Sequence, residues 1–132
     1  MPSIRKEIQI DAPPEKVWDA LRDFGAIHER LVPGFVTDCR MDGEDRIVTF
    51  VNGATYREVL IDLDDDARRL AWSIVDGPYE HHNGVAQVFN DGDGSRFVWT
   101  TDLIAADEVV AQTDEAMKMG IGTVKKTLET AD

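Results

Sequence analysis

One stretch of the chain is longer and more regular than any other: 106-ADEVVAQTDEAMKMGIGTVKKTLET-130. Acidic residues crowd its start and lysines its end, which suits the helix dipole. At about 1.5 Å per residue the stretch would span more than about 30 Å as a helix, so it needs a long apolar surface to lie on. We expect a helix over residues 107–129. Its apolar side chains recur at three-, four- and seven-residue steps along one face: Val110, Met117, Ile121, Val124 and Leu128.

Two glycines interrupt this helical pattern. Gly120 and Gly122 would each cost about 1 kcal/mol relative to alanine inside a helix. Two interpretations stand. Either the helix packs closely or kinks at this point, or space is left beneath it for a guest molecule.

Composition limits the class of protein. A chain of 132 residues suggests a single domain spanning residues 1–132. No apolar run approaches the ~20 residues of a membrane span, and the N-terminus lacks the apolar core of a secretory signal. The single cysteine, Cys39, fits a reducing compartment, so we expect a cytoplasmic protein. The net charge of −12 argues against nucleic acid and anionic membranes as partners.

The remaining chain predicts one strand, two short helices and then six more strands. The first strand covers residues 3–10, where isoleucines alternate with charged residues, and the short helices cover 15–22 and 26–31. From residue 35 the apolar period becomes two, and Asn52-Gly53 is a strong hairpin signal. An α+β fold follows, in which a seven-stranded antiparallel sheet curls around the C-terminal helix. The six later strands are predicted at 35–40, 46–51, 55–63, 69–75, 82–89 and 95–105.

Three stretches carry a family resemblance: IQIDAPPEKVWDALRDF at 8–24, YREVLIDLDDDARRLAWSIVDGP at 56–78 and GDGSRFVWTTDL at 92–103. They resemble the START-related, Bet v 1-like (SRPBCC) superfamily, which groups polyketide cyclases and dehydrases with carriers of lipids and other small molecules. The resemblance covers nearly the whole chain. It implies the helix-grip fold, in which the sheet grips the C-terminal helix and a hydrophobic cavity lies between them.

The resemblance also implies which side chains face this cavity. In the strand at 55–63, polarity alone favours Arg57, Val59 and Ile61 as the buried set. However, Glu58 matches an inward-facing glutamate of the abscisic-acid receptors and of lachrymatory-factor synthase, which turns Tyr56, Glu58, Leu60 and Asp62 inward instead. The same matching turns inward Phe35, Thr37, Cys39, Trp72, Ile74, His82, Gly84, Ala86, Val88, Phe97, Trp99, Thr101 and Leu103. The expected ligand-binding residues are Thr37, Tyr56, Glu58, Trp72, His82, Gly84, Trp99, Thr101, Met117 and Ile121.

Glu58 and His82 are the candidate catalytic residues. A carboxylate desolvated beside Trp72 and Trp99 would have a raised pKa and could pass protons near neutral pH. The alternative is a Glu58 that faces outward, or one that bonds structural water or Tyr56. His82 matches an inward tyrosine of the plant relatives, and it is a candidate proton shuttle or ligand hydrogen-bond donor. The alternative is a structural histidine at the rim.

Other chemistry receives little support. His81 and His82 are adjacent on a strand and therefore point to opposite faces, so we expect no metal site and no cofactor. Cys39 is either a small apolar residue of the sheet or a nucleophile without an evident base. Thr37 stands where the abscisic-acid receptors carry a ligand-binding lysine. A cationic anchor is therefore expected to be missing, which disfavours an anionic ligand and the chemistry of the synthase. The Asn52-Gly53 turn is too short to be the gate loop of the receptors, so we do not expect a hormone receptor.

Two functions follow from this pattern. The first is a carrier or sensor that binds a hydrophobic small molecule without chemistry. The alternative is a cyclase-, dehydratase- or isomerase-like enzyme that uses Glu58 as acid or base on a polyketide-like substrate. A third interpretation is a scaffold whose cavity is filled by its own side chains. The oligomeric state stays open between a monomer and a homodimer.

Overall fold

The computed structural model describes residues 2–130, and its elements follow the predicted order. A 3-10 turn, Phe24–Ala26, precedes the second short helix, which is shorter than predicted. The elements are β1 (Ser3–Ile10), α1 (Pro14–Arg22), α2 (Ile27–Arg30), β2 (Val36–Asp42), β3 (Asp45–Phe50), β4 (Thr55–Asp64), β5 (Arg69–Ile74), β6 (His81–Asp91), β7 (Gly94–Ile104) and α3 (Asp107–Thr130).

The strands form one seven-stranded sheet in the order β1-β7-β6-β5-β4-β3-β2. Every paired neighbour is antiparallel. Consecutive strands from β2 to β7 are neighbours, because short turns join them, and β1 closes the order beside β7. The predicted α+β helix-grip fold is therefore confirmed, with the short helices after the first strand and one long helix at the C-terminus.

Helix α3 lies against the sheet through one face, whose buried residues are Thr113, Met117, Gly120, Ile121, Val124 and Leu128. Near its C-terminus, Lys125 donates to the carbonyl oxygen of Gln9, and Glu129 accepts from the backbone N–H of Asp11. These bonds tie α3 to the end of β1. None of the helices within residues 2–130, α3 included, has the length and apolar character needed to span a membrane.

Gly120 allows α3 to approach the sheet closely. A Cβ at this position would lie 2.9 Å from an atom of the Trp99 ring and 3.1 Å from the Phe35 ring. The close-packing interpretation is therefore correct at Gly120, and no guest space lies directly beneath it. Gly122 faces open space, since nothing would lie within 4 Å of a Cβ there.

Two irregularities change which residues face inward. The pairing of β2 with β3 shifts between Val36 and Asp38, so Val36 is buried and Thr37 is exposed. The inward position predicted for Thr37 is wrong, because a bulge interrupts the strict alternation on which it depended. A similar shift between Leu60 and Asp62 in β4 leaves Asp62 exposed, whereas it was predicted to face inward.

Candidate ligand-binding cavity

A cavity of about 430 Å³ lies between the concave face of the sheet and α3. This volume falls within the roughly 300–1,000 Å³ of typical small-molecule sites. The ring centres of Trp72 and Trp99 are 6.4 Å apart in its wall. Such a wall suits the apolar body of a ligand. The main aromatic and aliphatic side chains of the wall are Phe35, Leu70, Trp72, Phe97, Trp99 and Met117.

The cavity reaches the surface between the β3–β4 turn and α3. Val51 on the turn and Met119 on the helix both border it, and they are 56% and 59% exposed. Ala116, one helical turn before Gly120, is also exposed and also lines the cavity. We call this border, formed by Val51, Ala116 and Met119, the mouth. Its apolar side chains offer a hydrophobic molecule a path inward.

An ion pair is buried in the cavity wall. Nε and Nη2 of Arg46 each lie 2.8 Å from Oε1 of Glu58, and the two side chains are only 3% and 4% exposed. Nη1 of Arg46 donates to the carbonyl oxygen of Phe24 at 3.1 Å, and the guanidinium carbon lies 3.8 Å from the centre of the Phe24 ring. Arg46 is therefore held from several sides.

The pairing of β3 with β4 brings these charges together, because Arg46 lies directly opposite Glu58. Arg46 shares its face with Val48 and Phe50, which pack in the core. Glu58 faces inward as predicted. Arg46 also lines the cavity, but its charge is paired with Glu58, so the expectation that no cationic anchor is available to a ligand stays a prediction. The role first given to Glu58 depended on a carboxylate without a charged partner, and Arg46 removes that basis.

One oxygen of Glu58 is left for a ligand. Both contacts from Arg46 go to Oε1. Within residues 2–130, Oε2 has no hydrogen-bond partner, and it is not among the fully enclosed polar atoms that lack one. Because Glu58 lines the cavity, Oε2 can accept a hydrogen bond from a molecule bound there.

His82 is held in one neutral tautomer. The backbone N–H of Ile74 donates to Nδ1 at 3.1 Å, so the ring proton of the neutral imidazole is on Nε2. Burial lowers the pKa of His82 to about 4, and the nearby His81 adds to this effect. His82 is thus neutral near pH 7. Because its pKa is far below 7, His82 is poorly suited to take up and release a proton near pH 7. Its Nε2–H can still donate a hydrogen bond to a ligand.

Tyr79 closes the same end of the cavity. Thr113 Oγ1 donates to the carbonyl oxygen of Val109 at 2.8 Å, so it accepts the hydrogen bond from the Tyr79 hydroxyl at 3.0 Å. The Tyr79 ring lies 4.9 Å from the His82 ring, centre to centre, and burial raises the pKa of the phenol. This contact explains why Thr113 interrupts the apolar stripe of α3: it ties the β5–β6 loop to the helix.

The structure brings together most of the residues predicted to bind ligand. Those that line the cavity are Tyr56, Glu58, Trp72, His82, Trp99, Thr101 and Met117. Their binding and catalytic roles stay predictions, because no ligand is present.

Three predicted ligand-binding residues do not line the cavity. Thr37 is exposed beyond the β2 bulge, and its hydroxyl donates to the carbonyl oxygen of Thr49. Gly84 is covered by the Trp72 indole, which would lie 2.7 Å from a Cβ there. Ile121 packs into the core of buried apolar side chains. A bulge displaces Thr37 and a neighbouring ring covers Gly84, although strand alternation turns both inward, whereas Ile121 on α3 faces the core instead of the cavity.

Cys39 is part of the packing around Arg46. The residue is buried, and Sγ lies 4.0 Å from the carbonyl oxygen of Phe24. Burial raises the pKa of the thiol, and the positive charge of Arg46 only partly opposes this. A protonated, buried thiol is a poor nucleophile, so the interpretation as a small apolar residue is favoured.

Residues 1–130 match the family model of the polyketide cyclase/dehydrase and lipid transport proteins. The chain belongs to this family. The match confirms the predicted START-related, Bet v 1-like relationship. A comparison with curated proteins finds no match.

Several solved structures have the same fold as this chain. The protein XoxI from Bacillus cereus superposes with a TM-score of 0.87 at 18% identity, covering 98% of this chain and 97% of its own. Norcoclaurine synthase from Thalictrum flavum gives 0.76 at 17% identity, over 99% and 95%. The di-domain ARO/CYC protein BexL of the BE-7585A biosynthetic pathway gives 0.83 at 14% identity, over 98% of this chain and 47% of BexL. At these identities the likeness concerns the fold.

Proposed function

We propose that this family member is a carrier or sensor that binds a hydrophobic small molecule between the sheet and α3. The observation that supports the proposal is the cavity of about 430 Å³ with an apolar wall and an open mouth. A scaffold protein filled by its own side chains would not need such a space. The family description, which includes lipid transport, agrees with a binding role.

Most of the binding free energy would come from burying apolar ligand surface against the cavity wall. Each Å² of apolar surface removed from water contributes roughly 25 cal/mol, and the rings of Trp72, Phe97 and Trp99 offer flat surfaces to a ligand. The polar groups of Glu58 and His82 are confined to one region, so they would orient the ligand rather than supply most of the affinity.

A blocked mouth tests this proposal. Ala116→Trp places a large ring at the mouth, and because Ala116 is exposed the fold should tolerate it. Ala111→Trp is the matched control: Ala111 is an exposed alanine of the same helix that does not line the cavity. Binding of the neutral fluorescent probe N-phenyl-1-naphthylamine is measured for the parent protein and both variants.

We expect the parent and Ala111→Trp to bind the probe with similar affinity and Ala116→Trp to bind it about tenfold more weakly or not at all. Circular dichroism and thermal melts verify that both variants are folded. Equal binding by the two tryptophan variants would place the probe outside the cavity and would reject the proposal.

A second candidate function is a cyclase-, dehydratase- or isomerase-like enzyme that acts on a polyketide-like substrate. It is favoured by one observation, the free Oε2 of Glu58 beside an apolar wall. The ion pair with Arg46 would make Glu58 a base rather than an acid. The protein is purified from its own host, and any small molecule released from it is incubated with the parent and with Glu58→Gln. Conversion by the parent alone, with binding by both, would favour the enzyme, and no conversion by either would favour the carrier.

A further inference from the structure

The cavity is open at one end and closed at the other. The mouth lies at the edge of the sheet that carries the β3–β4 turn. Because consecutive strands are antiparallel, the β4–β5 turn lies at the opposite edge, and the indole N–H of Trp18 in α1 donates to Asp65 of that turn at 2.9 Å. Helix α1 therefore covers the second end, which we call the closed end. It is lined by residues that are each at most 3% exposed: Leu21, Leu70, Ala86, Phe97 and Val124.

Both α3 and β6 run from the mouth to the closed end. On α3, Met119 borders the mouth and Val124 lies more than one helical turn further on. On β6, His82 lies next to the β5–β6 loop at the edge of the mouth, and Ala86 lies deeper, opposite Leu70. The levels of His82 and Ala86 are about 13 Å apart, which is four residues of strand at about 3.3 Å each.

The polar side chains of the wall lie toward the mouth. Glu58 pairs across the sheet with Ile74, whose backbone N–H binds His82, so the buried ion pair lies near the level of His82. Thr101 lies one level further in, opposite Gly84. The lining side chains that carry nitrogen or oxygen between the level of Thr101 and the mouth are Arg46, Asn52, Tyr56, Glu58, Trp72, Tyr79, His82, Thr101, Gln112, Thr113 and Glu115.

The closed end offers a ligand no comparable partner. None of its five side chains contains nitrogen or oxygen. Trp99 lies opposite Ala86 and carries Nε1, but this atom is enclosed by its neighbours and out of reach of a ligand. A polar group placed at the closed end would therefore give up its hydrogen bonds to water without replacing them, which is costly. An apolar chain incurs no such cost there.

We propose that the ligand is a single-tailed amphiphile whose apolar tail lies in the closed end and whose polar end lies between Thr101 and the mouth, and that Val124 limits the length of the tail. The proposal rests on the proposed binding function and adds the orientation of the ligand and a residue that selects it by length. Each methylene that reaches the closed end is removed from water and adds affinity, whereas the polar end stays beside polar side chains and solvent.

Val124 seals the closed end together with α1. It belongs with Leu21 to the main core of buried side chains, which also contains Val17 and Leu128 outside the cavity. Protein cores are packed as densely as organic crystals, so a tail cannot extend past Val124 without displacing core side chains. Additional methylenes must instead lie near the mouth, where they are less well buried.

A series of straight-chain alcohols tests the length limit. 1-Hexanol, 1-octanol, 1-decanol, 1-dodecanol and 1-tetradecanol each compete with N-phenyl-1-naphthylamine for the parent protein. We expect affinity to rise about fourfold with each added methylene, as complete burial requires, up to about the length of 1-decanol, which matches the depth of about 13 Å. For the longer alcohols the affinity should level off or fall.

Val124→Ala should move this limit. The smaller side chain deepens the closed end, so the rise should continue from 1-decanol to 1-dodecanol. The matched control is Val17→Ala, which removes the same atoms from the same core outside the cavity and should keep the limit of the parent. Thermal melts verify that both variants are folded, and the alcohol series on the parent protein decides the length limit even if neither variant folds.

Two isomeric diols test the orientation. 1,2-Decanediol carries both hydroxyl groups at one end, whereas 1,10-decanediol carries one at each end of the same chain. With one hydroxyl near the mouth, 1,10-decanediol would bury the other beside Leu70 and Val124 without a partner. We expect 1,2-decanediol to bind at least about tenfold more tightly than 1,10-decanediol, because an unsatisfied buried hydroxyl carries a penalty of this size.

The outcomes separate this inference from the proposed function. Equal binding of the two diols, or an undiminished rise to 1-tetradecanol in the parent, would overturn the inference while the binding function stands. The same holds if no alcohol displaces N-phenyl-1-naphthylamine although Ala116→Trp weakens its binding. An unchanged limit in a folded Val124→Ala would reject Val124 as the residue that sets it. If no alcohol binds and the fluorescent probe is unaffected by Ala116→Trp, both the inference and the proposed function fail.

Discussion

Glu58 and Arg46 depend on each other for stability. Removing one partner of a buried ion pair leaves the other charge uncompensated and typically costs several kcal/mol. Because both side chains are almost fully buried, we expect Glu58→Gln to lower the free energy of unfolding by ~3 kcal/mol near pH 8, as measured by chemical denaturation. An unpaired Glu58 with a raised pKa, as expected from the sequence, would have given the opposite result, because its replacement by Gln would leave stability unchanged or improved.

A double variant provides the control for this ion pair. Replacing both partners with apolar residues, as in Arg46→Met with Glu58→Leu, removes both charges and should recover most of the loss. A Glu58→Gln protein at least as stable as the parent near pH 8 would show that the pair does not stabilise the fold.

His82 should make the protein sensitive to acid. The pKa of His82 is about 4 in the folded state, against 6.5 for an ordinary histidine, so the unfolded chain binds this proton first as the pH falls. The stabilising contribution is complete above about pH 6.5 and is lost progressively toward pH 4, by about 3 kcal/mol in total. His82→Asn retains an acceptor for the N–H of Ile74 but cannot titrate in this range.

The measurement for His82 is the free energy of unfolding between about pH 7 and pH 4. We expect a shallower loss in His82→Asn than in the parent, and a much smaller change in slope in His81→Asn, because His81 is exposed and adds less than burial does to the lowered pKa of His82. Equal slopes for the parent and both variants would mean that His82 titrates normally in the folded protein.

At the level of single elements, α3 carries two glycines with opposite expected effects. Gly120→Ala would force a Cβ against Trp99 and Phe35, and overpacking of this kind costs about 1–3 kcal/mol. Gly122→Ala meets nothing within 4 Å and should gain up to ~1 kcal/mol from helix propensity. Thermal melts of the two variants test this, and stabilisation by both would mean that α3 does not approach the sheet closely at Gly120.

The order and kind of the elements could be predicted from the sequence, because turn residues separate strands of clear period two and one long amphipathic helix follows them. The register of β3 against β4 could not be predicted in this way. Asn52-Gly53 indicates a two-residue turn, which would place Ile47 opposite Glu58. Instead the backbone N–H of Phe50 binds the carbonyl oxygen of Ala54, so three residues form the loop and Arg46 lies opposite Glu58.

Local irregularities also limited the prediction of which side chains face inward in β2 and β4. The bulge beside Thr37 and the one after Leu60 add a residue that no apolar pattern reveals, and each reverses the faces that follow it. One signal for Arg46 was available: it alternates with Val48 and Phe50, whose apolar character predicts an inward face.

For the whole molecule, the shape of the cavity depends on contacts far apart in the chain. Trp72 lies over Gly84, Gly120 admits Trp99, and Tyr79 reaches across to Thr113 on α3. These contacts set where the sheet and helix touch and where they separate. The family resemblance predicted a cavity between them, but the volume and the buried ion pair depend on packing that a single sequence does not specify.

The central claim is that this cavity holds a small hydrophobic molecule in the living cell. Native mass spectrometry of the protein purified from its own host tests this most directly, with Ala116→Trp and Ala111→Trp expressed in the same host. We predict that the parent and Ala111→Trp carry an added mass from one small neutral molecule and that Ala116→Trp does not. The same added mass on all three proteins, or none on any of them, would contradict the claim.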